Sequence, residues 1–247
     1  MVRFAKWLGA GLGWTYGGPI GAFLGYIVGQ AIEGFSKKDL SQFYEDNEYH
    51  SEPTQSGDFE ISLLILSSFV IKADGKIDQR ELNFVREYFV QMYGKERANN
   101  AFRLFREIIK NEDVSVRQIC LQIKRQMQHA SRLQLIHYLF SLAQADSNVS
   151  IEEVQMLEKI AGYLNISSLD FNGIKAMFYK DSKSAYTILE ISTEATDKEI
   201  KAAYRKMVKK HHPDKLQQLG EEHLKGAQEK FLKIQEAYEQ IKKERGI

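Results

Sequence analysis

Residues 196–241 read TDKEIKAAYRKMVKKHHPDKLQQLGEEHLKGAQEKFLKIQEAYEQI, and two helices are written into that stretch. Thr196-x-x-Glu199 has the pattern of a capping box, in which the threonine side chain takes a backbone N–H and the glutamate reaches back to the cap. Behind it Ile200, Ala203, Tyr204 and Met207 recur at three- and four-residue spacing, an apolar stripe of helical period. Lys198, Lys201, Arg205, Lys206, Lys209 and Lys210 crowd the other faces, opposed only by Asp197 and Glu199. Pro213 cannot continue a helix and biases His212 away from helical geometry, so His212-Pro213-Asp214 marks a sharp exit. After a polar loop, Leu224, Ala227, Phe231, Ile234, Tyr238 and Ile241 make a second stripe. Two such helices pack antiparallel and present the tripeptide at their tip; Tyr186, Ile188, Leu189 and Ile191 add a short apolar stretch ahead of them.

The rest of the chain shares the helical character. Its three prolines, Pro19, Pro53 and Pro213, leave long stretches of three-to-four-residue apolar spacing without sustained alternation, which predicts an all-α protein. Basic and acidic residues nearly balance, 34 against 33, so the chain as a whole carries no field that would draw nucleic acid. Cys120 stands alone beside Ile119, Leu121 and Ile123; it reads as a small buried hydrophobe in a reducing compartment, with neither an internal disulfide nor a cysteine metal cluster open to it.

Residues 59–180 read as a compact helical domain, with helices expected at 59–72, 79–92, 95–110, 114–128, 130–145, 151–163 and 170–179. An internal repeat runs through it: ADGKIDQRE at residues 73–81 aligns with ADSNVSIEE at 145–153, each copy following an apolar helix and opening another. Two similar helical hairpins are therefore expected to pair. Asp74, Asp78 and Glu81 lie around one turn, with Asp146, Ser150 and Glu153 as their counterpart, and oxygen-rich loops of this kind can hold divalent metal. Asp78-x-x-Glu81 and Ser150-x-x-Glu153 equally have the pattern of helix caps, and an acidic surface for a partner is a third reading.

From Trp7 to Ile32 no residue carries a formal charge. At 1.5 Å per residue that stretch makes about 39 Å of helix, enough to cross a hydrocarbon core of about 30 Å. It lacks the short apolar run and small-residue cleavage site of a secretory signal. Gly9, Gly13, Gly17, Gly21, Gly25 and Gly29 recur every fourth residue, a spacing that lets helix backbones approach closely in lipid and predicts self-association, with a homodimer as the natural product. The stripe drifts around the helix, and Gly17-Gly18-Pro19 offers either a bend or the turn of a re-entrant hairpin. Arg3 and Lys6 on one side balance Lys37 and Lys38 on the other, so flanking charge does not choose an orientation. Residues 36–58 are polar and acidic and read as a flexible tether between residues 1–35 and the middle domain.

Residues 73–81 and their copy resemble the TerB-like domain of tellurite-resistance proteins, which implies an all-helical fold whose acidic residues are suspected metal ligands. Residues 184–247, with Ala203 to Lys215 followed by Phe231 to Tyr238, closely resemble the J-domain of DnaJ/Hsp40 co-chaperones. That resemblance implies that His212, Pro213 and Asp214 trigger ATP hydrolysis by an Hsp70 (DnaK), while Tyr204, Arg205, Lys209 and Lys215 contribute to docking. The glycine/phenylalanine-rich region and zinc-binding cysteine repeats of the general family members are missing, and no catalytic residue of the chain's own is implied. The whole order, from glycine-rich segment through acidic linker and TerB-like domain to terminal J-domain, resembles the DjlA-like membrane-anchored DnaJ proteins of Gram-negative bacteria. It implies a single-pass inner-membrane protein with a cytoplasmic J-domain and a link to envelope stress or capsule regulation. The alternative is a membrane-associated scaffold or divalent-metal-responsive sensor centred on the middle domain.

Overall fold

The computed structural model describes residues 56–110, 115–146, 149–178, 184–211 and 221–246, together with residues 10, 14, 18, 20–22, 25 and 26. These form two compact units, residues 1–127 and 128–247.

In the first unit α1 (Ser56–Ile71) is followed by α2 (Gln79–Tyr93), α3 (Lys95–Lys110) and α4 (Val116–Gln126). Every residue from Glu60 to Ile71 is buried, so α1 is covered on all sides rather than along one stripe. The neighbouring helices α2, α3 and α4 supply the cover. Several polar side chains this encloses find partners within the unit: Ser67 Oγ donates to the Leu63 carbonyl at 2.6 Å, Ser68 Oγ to that of Ile65 at 2.7 Å, and Glu60 Oε2 pairs with Arg97 at 2.8 Å. Cys120 is fully enclosed in α4, and burial pushes its thiol up to about 12, in keeping with an inert hydrophobe.

The second unit repeats the plan and extends it. Its central helix α5 (His129–Ala143) buries eleven of its fifteen residues. Around it lie α6 (Ile151–Tyr163), α7 (Ser168–Ala176) and α10 (Glu221–Arg245), while α8 (Ser184–Ile188) packs on α7 and α10, and α9 (Asp197–His211) packs on α10. Phe140 of α5 meets Phe171 and Phe178 at ring distances of 5.4 and 5.5 Å. Helices α5 to α7 and the helices after residue 184 thus share one compact unit, because α10 supplies cover that the all-round apolar α5 requires.

The sequence repeat has a structural meaning within each unit: an enveloped helix, α1 or α5, leads into the repeated loop and then into a capped helix, α2 or α6. Gly75 sits in the first loop at φ +77, a left-handed conformation that glycine adopts without penalty. Helix starts depart from expectation where a hydroxyl decides them. Ser115 Oγ accepts the Gln118 N–H and starts α4 two residues late, and Ser167 Oγ accepts the Asp170 N–H and starts α7 two residues early. Residues 56–58, expected to end the tether, open α1 instead; the remainder of the tether lies outside the described residues.

Gly18, the middle residue of the tripeptide expected to make a bend or a hairpin turn, adopts φ +57, and the Ile20 N–H donates to Gln122 Oε1 at 2.8 Å. Gly21 and Gly25 are helical and buried, whereas Gly9, Gly13, Gly17 and Gly29 lie outside the described residues. Among the described residues no helix is long and apolar enough to cross a membrane.

Candidate functional site: the basic helix and its exit

The helix α9 begins as its sequence dictates. Thr196 Oγ1 accepts the Glu199 N–H at 3.4 Å, and the Thr196 N–H and hydroxyl both donate to Glu199 Oε2 at 2.7 Å. Those bonds, the backbone one foremost, hold the Glu199 carboxyl below its ordinary range. The apolar stripe does the packing: Ile200 and Met207 are buried with Ile188, Leu189, Ile234, Ala237 and Ile241. Tyr204 is half-buried and stacks on Tyr238 with ring centroids 4.1 Å apart and planes 9° from parallel. At the far end, Arg245 donates to the Tyr186 hydroxyl at 3.1 Å and to the carbonyls of Ala195, at 2.8 Å, and Thr193, tying α10 back to the turn before α9.

The basic residues of α9 separate into two groups. Lys198, Lys201, Arg205 and Lys209, spaced by three and four, are exposed and form one continuous cationic face. Lys206 and Lys210 instead turn toward Glu190, at 3.6 and 2.7 Å, and Lys210 also pairs with Asp170 of α7. Of the docking residues expected from sequence, Arg205 and Lys209 lie on the open face, and Tyr204 is half-buried beside it with its ring on Tyr238. Lys198 and Lys201 belong to the same face; their spacing from Arg205 is the signal that marks them. α9 ends at His211, directly before His212-Pro213-Asp214, as the proline requires. His212, Pro213, Asp214 and Lys215 lie outside the described residues.

His211 is the side chain that sequence reasoning missed. It is 9% exposed and feels the charge of other enclosed groups: Lys230 on α10, 2% exposed, and His137 on α5, 4% exposed. Burial, followed by the charges of Lys230 and Lys210, pushes the His211 imidazole down to about 2, and burial brings the Lys230 ammonium down to about 7. Burial also depresses His137, so both imidazoles are neutral at physiological pH. No local periodicity announces this cluster, since its members come from three different helices.

Asp74, Asp78 and Glu81 are not assembled as a metal centre. Asp74 Oδ1 accepts the Lys76 N–H at 2.8 Å, Asp78 takes the Arg80 N–H at 2.7 Å and its guanidinium at 2.8 Å, and Glu81 reaches back to the Asp78 N–H at 3.4 Å. The Arg80 side chain, and then its backbone N–H, hold the Asp78 carboxyl down at about 2. In the second copy Ser150 and Glu153 complete the same box, with Glu153 Oε2 2.7 Å from the Ser150 nitrogen. Among the described residues no group of three or more histidine, cysteine, aspartate or glutamate side chains is placed to hold a metal ion. The physical reason is that the carboxylates are spent on helix caps and turns.

Comparison with known proteins matches the three parts of the chain to three family models: the co-chaperone DjlA transmembrane domain over residues 1–35, the tellurite resistance protein TerB over 60–176, and the DnaJ domain over 184–246. The Co-chaperone protein DjlA of Vibrio vulnificus strain CMCP6 is 30% identical over 240 residues, spanning 80% of this chain and 82% of that protein. The chain belongs to the DjlA co-chaperone family. A second DjlA, from Coxiella burnetii, is 29% identical over the full length of both chains, and one from Legionella pneumophila is 28% identical over 98% of this chain and 96% of its own. No solved structure matches. Membership in the DjlA family makes this a membrane-anchored, DnaJ-type co-chaperone, and it places the exposed cationic face of α9 within the DnaJ domain.

Proposed function

We propose that the chain recruits an Hsp70 of the DnaK type to the cytoplasmic face of the inner membrane and stimulates its ATP hydrolysis, without catalysing a reaction of its own. The observation that carries this reading is the unobstructed row Lys198, Lys201, Arg205 and Lys209, which runs along α9 straight into His212-Pro213-Asp214. A cationic face of this kind steers toward an acidic patch on the chaperone, with Tyr204, Arg205, Lys209 and Lys215 as the docking set. His212, Pro213 and Asp214 then bias the docked chaperone toward its hydrolysing state, which requires tighter contact with that state than with the resting one.

Residues 1–35 cross the membrane once in this reading, and the glycines from Gly9 to Gly29 bring two copies together; insertion exchanges the Ile20–Gln122 contact for lipid. The tether at 36–55 spaces the helical units from the bilayer. The TerB-like segment selects the client or senses the condition that calls for the chaperone.

Single-turnover ATP hydrolysis by the cognate DnaK, with the full chain in lipid nanodiscs and its Asp214→Asn variant in parallel, tests the proposal. Stimulation by the unmodified chain and none by the variant is expected. Equal stimulation by both would remove Asp214 from the mechanism, and none by a folded, inserted chain would refute the co-chaperone activity.

A further inference from the structure

The DnaJ-type module is fastened to the helices that precede it, at the point where α9 ends. Lys210, in the last turn, bonds Glu190 Oε1 at 2.7 Å and pairs with Asp170 on α7, outside the module. Asp170 is 9% exposed and also accepts the Ser167 hydroxyl at 2.7 Å. Burial opposes the Asp170 charge, yet Lys210 and Ser167 overcome it and hold its carboxyl below the ordinary range.

The surroundings make that one carboxylate matter. The groups facing the cluster are Lys210 and His211 from α9, Lys230 and Lys233 from α10, and His129, Arg132 and His137 from α5, with Glu190 and Asp170 as the acids among the described residues. His129 Nε2 lies 3.8 Å from Asp170. α10 also approaches α5 closely: a Cβ added at Gly226 would stand 2.9 Å from Gln134 Nε2. Meanwhile the row Lys198, Lys201, Arg205 and Lys209 is left exposed. The fastening and the docking face are on different sides of α9, so a chaperone can dock while the fastening stays closed.

We propose that Asp170 is a positioning residue for the last turn of α9, which it fixes through Lys210, so that maximal chaperone stimulation, and not chaperone docking, depends on a side chain lying outside the DnaJ domain. The proposal rests on the co-chaperone reading above. It makes the TerB-like segment a working part of the activator, since the helix carrying Asp170 is the last of that segment. Loss of this pairing, with Glu190 still on Lys210, shifts such an equilibrium by about fivefold or more, which sets the size of the effect.

The test titrates the full chain in nanodiscs against DnaK and separates the maximal hydrolysis rate from the half-saturating concentration. Asp170→Asn is expected to lower the maximum about fivefold or more while leaving half-saturation within about twofold, and Asp170→Glu to recover most of the loss. Hydrogen exchange of the last-turn amides of α9 is expected to quicken in Asp170→Asn. If Asp170→Asn loses helical circular dichroism, Lys210→Gln, which leaves the Ser167–Asp170 cap intact, takes its place with the same expected split. A folded variant that keeps the full maximal rate overturns the proposal. Failure of the unmodified chain to stimulate DnaK refutes the co-chaperone reading instead, and the exchange measurement then decides the fastening by itself: unchanged exchange in the variant overturns it.

Discussion

Replacing Lys230 by methionine should make the second unit more stable at neutral pH and remove a pH dependence that the native chain carries. Lys230 is 2% exposed, and burial lowers its ammonium from 10.5 to about 7. Each tenfold loss of proton affinity corresponds to about 1.4 kcal/mol, so keeping this amine in its site costs the folded state about 5 kcal/mol relative to a solvated lysine when both are protonated. Because the folded pKa lies below the unfolded one, the unfolded chain holds more protons between pH 7 and 10.5, and stability rises with pH across that window. Between pH 7 and 9 the native chain should gain about 2 kcal/mol that Lys230→Met does not. Methionine is flexible and close to lysine in volume, so it fills the space beside His137 and His211 with little strain. Urea unfolding of the full chain and the variant in the same detergent, followed by circular dichroism at both pH values, yields the two slopes. Parallel slopes would show that the Lys230 ammonium reaches water or a stronger counter-charge, and the argument for a buried, partly deprotonated amine would fall.

Three further outcomes follow from the packing and the caps. Thr196→Ala removes the side chain that starts α9 and should cost about 1 kcal/mol, read as a lower melting temperature of the second unit with the first unchanged. Leu64→Ala opens a cavity in α1, where the leucine is fully enclosed, and should cost about 2 to 5 kcal/mol by urea unfolding; a cost below about 1 kcal/mol would mean that α1 is less tightly covered than its burial indicates. Arg205→Ala with Lys209→Ala should leave stability unchanged, because both side chains are exposed, while weakening DnaK docking several-fold and reducing its salt dependence.

Much of this architecture was legible because it is local. The three capping boxes at Asp78, Ser150 and Thr196 are each written in four residues, and each forms where the pattern puts it. The stripes of α9 and α10 have helical period, and Ile200, Met207, Ile234 and Ile241 are all enclosed. The same locality left the acidic turn ambiguous between metal and cap: Asp74, Asp78 and Glu81 offer suitable oxygens, and only the hydrogen bonds show one oxygen of each accepting a backbone N–H. What remained hidden depends on distant residues meeting. Lys210 in a basic run looks like one more solvated charge until Asp170 and Glu190 are seen beside it. Lys230 and His211, read singly, belong on a surface; their burial follows from α10 lying across α5, a pairing no period in either helix announces.

The enveloped character of α5 also bears on how the chain is made. A ribosome completes His129–Ala143 well before it reaches the α10 residues that cover that helix, and at about 5 to 20 residues per second the interval from Gln134 to Gly226 lasts roughly 5 to 20 seconds. For that time a helix with apolar side chains on every side has only part of its final shelter. Until α10 emerges the second unit therefore cannot complete its core, so its folding is finished only at the very end of synthesis.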